Sequence, residues 1–259
     1  MVEKPSVRRV SVSLVSHGQG ALAAVLLADL KKYSGYIQEV ILTANIAEAT
    51  PVSTYDFPFD IKVIHNPTPK GFGANHNAAF RVAGGDYFCV VNPDVRLTGE
   101  VFGGLIDCLQ DPTVAIVAPV VCGSDGQVED SARRFPRPWT ILARAIGCRS
   151  ARKMRSPVST TSPDWVAGMF MLVPTPIFRR LGGFDEGYFL YYEDVDICTR
   201  ARRLGYRVDV CPSVTVIHDA RRQSHKEWRY LRWHLASMIR FFTSGSFFWS
   251  LIAKRLRVR

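Results

Sequence analysis

The chain has 259 residues, of which 47% are hydrophobic, so it can bury the core of one large α/β domain or of two small ones. Its formal net charge of +10 is unevenly placed, because residues 221–259 hold ten Lys or Arg against one Glu. A nucleic-acid-binding domain usually spreads its basic residues over the folded surface, so this distribution argues against nucleic acid as a partner.

The composition also indicates a compartment. Six cysteines lie without paired spacing, several within apolar runs, which favours buried thiols in a reducing environment over disulfides or a zinc site. Residues Met1 to Pro5 lack the apolar core of a signal peptide, and no segment reaches the roughly 18 uninterrupted apolar residues of a transmembrane helix. We therefore expect a cytoplasmic protein.

The first elements alternate between strand and helix patterns. Val10–Ser16 predicts a buried strand, residues 21–32 have the apolar spacing of a helix, and residues 39–43 and 61–65 predict two further strands. Strands that alternate with helices favour a parallel sheet, with the ligand at the carboxyl ends of the strands.

The loop after the third predicted strand, residues 66–77, is rich in glycine and asparagine and leads into a helical pattern at 78–83. Gly71 and Gly73 allow the backbone to approach a ligand, Asn75 is a candidate N-cap, and the helix N-terminus favours a phosphate or a sugar hydroxyl. An ordinary loop with a capped helix explains the same residues.

The strand pattern over 84–91 ends abruptly in Asn92-Pro93-Asp94. This places Asp94 at the carboxyl edge of the sheet, where a carboxylate and substrate phosphates together bind a hard cation such as Mg²⁺ or Mn²⁺. A simple turn is the alternative interpretation, because Asn, Pro and Asp all favour turns.

Less regular sequence follows. Residues 98–110 predict a helix and 114–121 a buried strand, whereas 133–139 and 149–163 are basic and rich in Pro, Ser and Thr. We interpret the two basic stretches, 133–139 and 149–163, together as a mobile loop that covers the site and becomes ordered around substrate. A solvated loop without a function is the alternative.

Strand character returns at 165–174, and residues 179–185 predict a helix end with a glycine cap. The run 182–196 then places five carboxylates among aromatic and apolar residues, where lost hydration raises a carboxyl pKa towards that of a general base. The same acidic residues suit the first turn of a helix, and the two interpretations are compatible.

Two short strands are predicted at 205–210 and 214–219. His218, near the end of the second, is either a metal ligand or a structural histidine. Beyond it, residues 227–242 and 246–259 predict two amphipathic segments with Trp, Phe and basic residues. We expect the first to close the core and the second to attach to an anionic membrane surface.

In order and spacing these segments resemble the inverting nucleotide-sugar glycosyltransferases of GT-A family 2, in their bacterial rhamnosyltransferase-like branch. The resemblance covers residues 10–240. It rests on Val15-Ser16-His17, the loop 71–77, Asn92-Pro93-Asp94 in place of the family's Asp-x-Asp, residues 182–186, residues 191–196, and His218.

The resemblance implies a Rossmann-like, mostly parallel central sheet flanked by helices, followed by a basic amphipathic helical C-terminal tail. The glycosyltransferase domain would occupy residues 1–220, with a donor-binding half at about 1–120 and an acceptor or catalytic half at about 121–220. Residues 221–259 would form the tail, with possible peripheral attachment to the inner face of the cell membrane.

The resemblance also implies roles for single residues. Asp194 would be the base that takes the proton from the acceptor hydroxyl, with Glu193 positioning the base or the acceptor. Asp94 and His218 would bind Mg²⁺ or Mn²⁺. The donor would be bound by Ser16, Thr43, Asn45, Lys70, Gly71, Gly73, Asn77, Asn92 and Asp94, and the acceptor by Trp165, Gly168 and Asp185.

Two departures from the family pattern affect these expectations. Many members carry an Asp after the second strand that hydrogen-bonds the nucleotide base, whereas this chain has Thr43-Ala44-Asn45. The family's Asp-x-Asp is reduced here to the single carboxylate of Asp94. The base of the nucleotide and the dependence on a metal therefore stay open.

The leading functional hypothesis is transfer of L-rhamnose from dTDP-L-rhamnose to a surface polysaccharide, such as O-antigen, or to a lipid-linked saccharide. A UDP-hexose donor with the same fold is one alternative, and an inactive, membrane-associated partner in polysaccharide assembly is another. A sugar-phosphate nucleotidyltransferase would need an Arg- and Lys-bearing glycine loop after the first strand, which His17-Gly18-Gln19-Gly20 does not provide.

Overall fold

The structure is a computed structural model that describes residues 9–48, 56–136, 162–218 and 228–256. The described strands are β1 (Val10–Ser16), β2 (Ile37–Ala44), β3 (Asp60–His65), β4 (Tyr87–Val91), β5 (Val95–Leu97), β6 (Val114–Gly123), β7 (Ala132–Arg133), β8 (Trp165–Val166), β9 (Phe170–Pro174) and β10 (Arg207–His218).

Eight of these strands form one sheet in the order β3-β2-β1-β4-β9-β6-β10-β5, and β7 pairs with β8 beside it. Neighbours are parallel from β3 to β4 and again between β6 and β10. Strand β9 runs antiparallel between β4 and β6, and β5 runs antiparallel along β10. The mostly parallel sheet predicted from the alternating patterns is therefore confirmed.

Helices cover both faces of the sheet. They are α1 (Gly20–Lys32), a 3₁₀ turn (Ser34–Tyr36), α2 (Phe72–Phe80), α3 (Phe102–Cys108), α4 (Thr175–Arg180), α5 (Glu193–Arg203), α6 (Trp228–Phe242) and α7 (Gly245–Leu256). Successive residues of β4 show the two faces: Cys89 belongs to the core under α1 and α3, whereas Phe88 and Val90 belong to the core under α2, α4 and α5.

Some predicted boundaries were wrong. Helix α2 begins at Phe72, so Asn75 lies inside the helix and does not cap it. The strand predicted at 165–174 is divided into β8 and β9 by a turn at 167–169. The strands predicted at 205–210 and 214–219 are one bent strand, β10, with an irregular register between Cys211 and Thr215.

The two C-terminal helices pack on the second of these cores. Phe241 of α6 and Phe247 of α7 are buried there, and Ser246 donates a hydrogen bond to Asp196 Oδ1 over 2.7 Å. Within the described ranges, none of the helices combines the length and the apolar content needed to cross a bilayer. Most of the loop expected to cover the site, residues 137–161, lies outside the described residues.

Candidate active site

The predicted donor-site residues of the first strands lie at one edge of the sheet. Ser16 is opposite Ala44 in the register of β1 and β2, and Leu14 is opposite Val91 in that of β1 and β4. The carboxyl ends of three adjacent parallel strands therefore meet, and Ser16, Thr43 and Asn92 lie there together. The Thr43 hydroxyl is buried and has no hydrogen-bond partner within the described parts of the chain.

Asn45 is occupied by the protein's own contacts. Its amide nitrogen donates to Lys70 O over 2.9 Å and lies 3.2 Å from His17 Nδ1. Its amide oxygen accepts from Lys70 N over 2.8 Å and from Asn66 over 2.9 Å. An amide has two donor hydrogens and two acceptor positions, so Asn45 fixes the course of the loop before α2 and has no hydrogen-bonding capacity left over for a base.

The start of α2 is packed against the segment that precedes the acidic pair. A Cβ at Gly71 would lie 2.8 Å from Phe189 O, and a Cβ at Gly73 would lie 2.7 Å from Phe184 Cβ. The amide of Asn77 accepts from Phe184 N and donates to Phe184 O, both over 2.9 Å. These three predicted donor-site residues thus hold segment 184–189 in place in this structure.

Asp94 and His218 come together as predicted for a metal pair. Asp94 follows β4 and His218 ends β10, and His218 Nε2 lies 3.3 Å from Asp94 Oδ2. The other ring nitrogen, Nδ1, is 2.8 Å from Glu129 Oε2. Hydrogen bonding to Asp94 is the main cause that raises the pKa of His218 to about 9.

This pair fits a divalent cation. Asp94 Oδ1 is buried and has no hydrogen-bond partner within the described residues, so one oxygen is available to a ligand. Carboxylate and imidazole are both ligands of Mn²⁺-type cations, and a carboxylate on the second ring nitrogen is the usual support of a metal-binding histidine. Across residues 9–48, 56–136, 162–218 and 228–256 there is no group of three protein ligands, so water and substrate oxygens would complete the coordination.

The turn at 167–169 connects this pair with the acidic pair. Asn92 N donates to Met169 O over 2.9 Å, and Gly168 N donates to Asp194 Oδ2 over 3.1 Å. Neighbouring residues of one turn therefore fix both the Asn92-Pro93-Asp94 loop and the Asp194 carboxylate. The turn thus joins the segment that bears Asp94 to the start of α5.

Glu193 and Asp194 form the first turn of α5 but have different surroundings. Glu193 is buried, and its Oε2 has no hydrogen-bond partner in the described structure, so burial and then the Asp194 charge raise its pKa well above the usual range. Burial also raises the pKa of Asp194, but the N–H groups of Gly168 and Val195 favour its charged form. Asp194 is therefore the member of the pair that ionises more readily.

Strained backbone precedes the pair. Tyr191 and Tyr192 have left-handed φ values of 70° and 69°, a region that costs a tyrosine about 1–3 kcal/mol. Helix α6 holds this geometry, since the ring of Tyr192 packs on Phe241 at 5.5 Å and Leu190 O accepts from Ser237 over 2.8 Å. Strain held by packing in this way fixes the direction in which α5 starts.

The residues predicted for the acceptor occupy three different places. Gly168 binds Asp194, as described. Trp165 is buried, donates through Nε1 to Arg134 O over 3.0 Å and carries Arg133 over its ring at 5.2 Å. Asp185 forms an ion pair with Arg240 of α6 at 2.9 Å and so links the segment before the acidic pair to that helix.

Sequence reasoning missed Glu129 and Arg133. Glu129 follows Val128, which forms an isolated antiparallel bridge with Cys122 after the Asp125-Gly126 turn, and the N–H of Glu129 donates to Val121 O over 2.8 Å. That Asp-Gly turn was a usable signal for a hairpin. Arg133, in β7, carries a positive charge that lowers the pKa of Asp194, and no sequence pattern indicated this contact.

A mostly parallel sheet with helices on both faces is also the fold of solved glycosyltransferase structures. The fold matches the mannosyltransferase PcManGT from Pyrobaculum calidifontis in complex with GDP-Man and Mn²⁺, with a TM-score of 0.62 and 19% identity. That match covers 91% of this chain and 65% of the mannosyltransferase chain, and it shows the fold alone.

The sequence model of Glycosyl transferase family 2 matches residues 23–166, more than half of the chain, so the protein belongs to that family and is a glycosyltransferase. It is 31% identical over 183 residues to the rhamnosyltransferase WbbL of Escherichia coli K12, covering 66% of this chain and 69% of the relative. It is 26% identical to the N-acetylglucosaminyl-diphospho-decaprenol L-rhamnosyltransferase of Mycobacterium tuberculosis H37Rv, covering 87% and 80%.

Proposed function

We propose that the protein transfers L-rhamnose from dTDP-L-rhamnose to a lipid-linked or growing surface saccharide, with inversion at the anomeric carbon. The observation that carries the proposal is the Asp194 carboxylate, which Gly168 N–H holds beside the loop that bears Asp94. The names of the two relatives support rhamnose as the sugar and a polyprenyl-diphosphate-linked acceptor.

In the proposed reaction Asp194 takes the proton of an acceptor hydroxyl. The hydroxyl oxygen attacks the anomeric carbon of the donor while the bond from that carbon to the diphosphate oxygen breaks on the opposite face. The products are the glycosidic bond and a free nucleoside diphosphate, and the proton passes from Asp194 to solvent. A single displacement of this kind inverts the anomeric configuration.

The neighbours of Asp194 prepare it for this role. Burial and the neighbouring charge of Asp194 raise the pKa of Glu193 well above its usual range, which favours its protonated form and leaves Asp194 as the proton acceptor of the pair. The N–H groups of Gly168 and Val195 fix the carboxylate of Asp194 and favour its charged form, against the effect of burial. A base with a raised pKa is the better proton acceptor near neutral pH.

Asp94 and His218 would hold the divalent cation, and Glu129 would fix the orientation of the His218 ring. A bound cation offsets the negative charge that develops on the leaving diphosphate. The buried Asp94 Oδ1 without a partner supports this assignment independently of the relatives.

The test is calorimetric binding of the purified chain to dTDP, UDP and GDP and their sugar conjugates, with and without Mn²⁺. A transfer assay with polyprenyl-diphosphate-linked N-acetylglucosamine follows. We expect Mn²⁺-dependent preference for dTDP-L-rhamnose and a product extended by one rhamnose. Selective binding of a UDP-sugar would change the assigned donor from dTDP-L-rhamnose to that sugar and leave the proposed mechanism as it stands. Absence of binding to any nucleotide would overturn the proposal.

A further inference from the structure

Helix α6 carries an apolar stripe on its outer side. The stripe consists of Trp228, Leu231, Leu235 and Ile239, which are 73%, 46%, 42% and 60% exposed. Their spacing of three, four and four residues places them on one face of the helix. Val25, Val82 and Leu204 are also exposed but belong to three different parts of the chain, and scattered apolar residues are ordinary on a protein surface.

The opposite face of α6 is firmly packed. Ser237 and Phe241 are buried, and the ring of Trp233 lies on that of Phe189 with centroids 4.6 Å apart. Arg240 is tied to Asp185 by two hydrogen bonds of 2.9 Å. The helix therefore cannot rotate its apolar stripe inwards without breaking these contacts, so the stripe is a fixed surface of the domain.

Basic side chains border the stripe. Arg229 and Arg232 are exposed and lie on the side of the helix between the stripe and the packed face. No acidic residue lies between Trp228 and Arg259. A contact between two copies of α6 would bring these arginines together, since the same patch pairs with itself in a twofold contact. An anionic lipid bilayer, in contrast, complements both surfaces, since its acyl chains suit the apolar stripe and its phosphates suit the arginines.

We infer that α6 docks on an anionic lipid bilayer, with the apolar stripe inserted at the level of the headgroups and Arg229 and Arg232 on the lipid phosphates. This places a membrane contact on α6, in addition to the one expected from the sequence for residues 246–259. In the first turns of α7, Ser246, Phe247 and Ser250 are buried, whereas Phe248 is 57% exposed.

Docking by this face also orients the site. The inner face of α6 contacts residues 185–192, which lead directly into Glu193 and Asp194. The acceptor side of the site therefore lies next to the docked helix. Only this consequence rests on the proposed function, since a lipid-linked acceptor would be presented at that surface, whereas the docking itself does not depend on which sugar is transferred.

The test is co-sedimentation of the full chain with vesicles of phosphatidylcholine alone or of equal parts phosphatidylcholine and phosphatidylglycerol. We expect binding to the anionic vesicles only, and a fall of at least about tenfold in partitioning for the double variant Leu235→Gln/Ile239→Gln. Arg229→Gln/Arg232→Gln should weaken binding and reduce its dependence on salt.

Leu204→Gln is the matched control, because Leu204 is 46% exposed and lies directly after α5, away from the stripe. Equal thermal melting and equal nucleotide binding in all variants separate loss of docking from misfolding and from failure of the proposed function. The inference is overturned if the wild-type chain does not sediment with anionic vesicles, or if the double variant binds as well as the control. It is also overturned if the double variant only abolishes dimers seen in sedimentation velocity.

Discussion

The two acidic groups of the site differ in what surrounds their carboxylates. Asp94 and Glu129 enclose an imidazole, and both ring nitrogens of His218 face a carboxylate within 3.3 Å. Among the described residues, no cationic side chain is in hydrogen-bonding contact with Glu193 or Asp194, and burial dominates both of their pKa shifts. The first group, Asp94, Glu129 and His218, is arranged to bind a cation and is called the charge-binding group. The second, Glu193 and Asp194, is arranged to exchange a proton and is called the proton-transfer group.

The largest effect should come from the proton-transfer group. Asp194→Asn keeps an oxygen for the N–H of Gly168 but removes the base, so we expect transfer to fall about a thousandfold. Donor affinity measured by calorimetry should not change. Asp107→Asn, on the exposed side of α3, is the control for loss of one carboxylate. Wild-type turnover by Asp194→Asn would assign the base to another residue.

The next effect tests the charge-binding group. Asp94→Asn keeps the shape of the side chain and removes its charge, so we expect nucleotide affinity in Mn²⁺ to fall by about a hundredfold. Affinity without metal should change little, and this difference is the diagnostic result. Asp86→Asn, at the other end of β4, serves as the control. A uniform loss with and without Mn²⁺ would contradict a role in metal binding.

Glu129→Gln should have a smaller effect on the same group. The amide still reaches His218 Nδ1 but no longer provides the negative charge that supports a metal-binding imidazole, so we expect Mn²⁺ affinity to fall about tenfold. Titration followed by the electron paramagnetic resonance signal of free Mn²⁺ measures this directly. Turnover at saturating Mn²⁺ should recover.

The neighbouring Asp130→Asn provides the comparison, because Asp130 pairs with Arg133 and does not contact His218. If Glu129→Gln and Asp130→Asn bind Mn²⁺ with equal affinity, Glu129 does not position the histidine. If turnover of Glu129→Gln stays low at saturating Mn²⁺, its role lies elsewhere in the reaction.

Local sequence patterns predicted the central residues of both groups. Apolar runs that end in polar residues, such as the strand before Asn92-Pro93-Asp94, were enough to predict the sheet and the edge at which Asp94 lies. The acidic run before α5 indicated the carboxylate pair because Glu193 and Asp194 are adjacent in the chain. Local patterns therefore located the residues that carry the chemistry.

The residues that adjust this chemistry act across the fold. Glu129 reaches His218 from 89 positions away, and Asn77 reaches Phe184 across 107 positions. Neither contact leaves a period or a motif in the sequence, because it depends on how strands and helices pack. For the same reason the pattern of residues 227–242 indicated a helix that packs on the core but not the exposure of its stripe, because an amphipathic pattern does not say which face is covered.

The smallest effect concerns the link between Arg133 and the base. Because the positive charge of Arg133 lowers the pKa of Asp194, Arg133→Gln should raise that pKa further. The base must be ionised to act, so activity is lost as the pH falls through the pKa of Asp194. The acid limb of the pH–rate profile should therefore move to higher pH, by a few tenths of a unit for a partly exposed charge.

Arg134→Gln is the matched control, since Arg134 pairs with Asp164 at 3.5 Å and does not act on Asp194. The acid limb of its pH–rate profile should coincide with that of the wild-type chain, and any loss of activity should come from a higher KM alone. A shift to lower pH in Arg133→Gln, or equal shifts in both variants, would contradict a direct effect of Arg133 on the base. A shift in Arg133→Gln alone would show that Arg133 adjusts the pKa of Asp194, although it is not one of the two buried carboxyl residues.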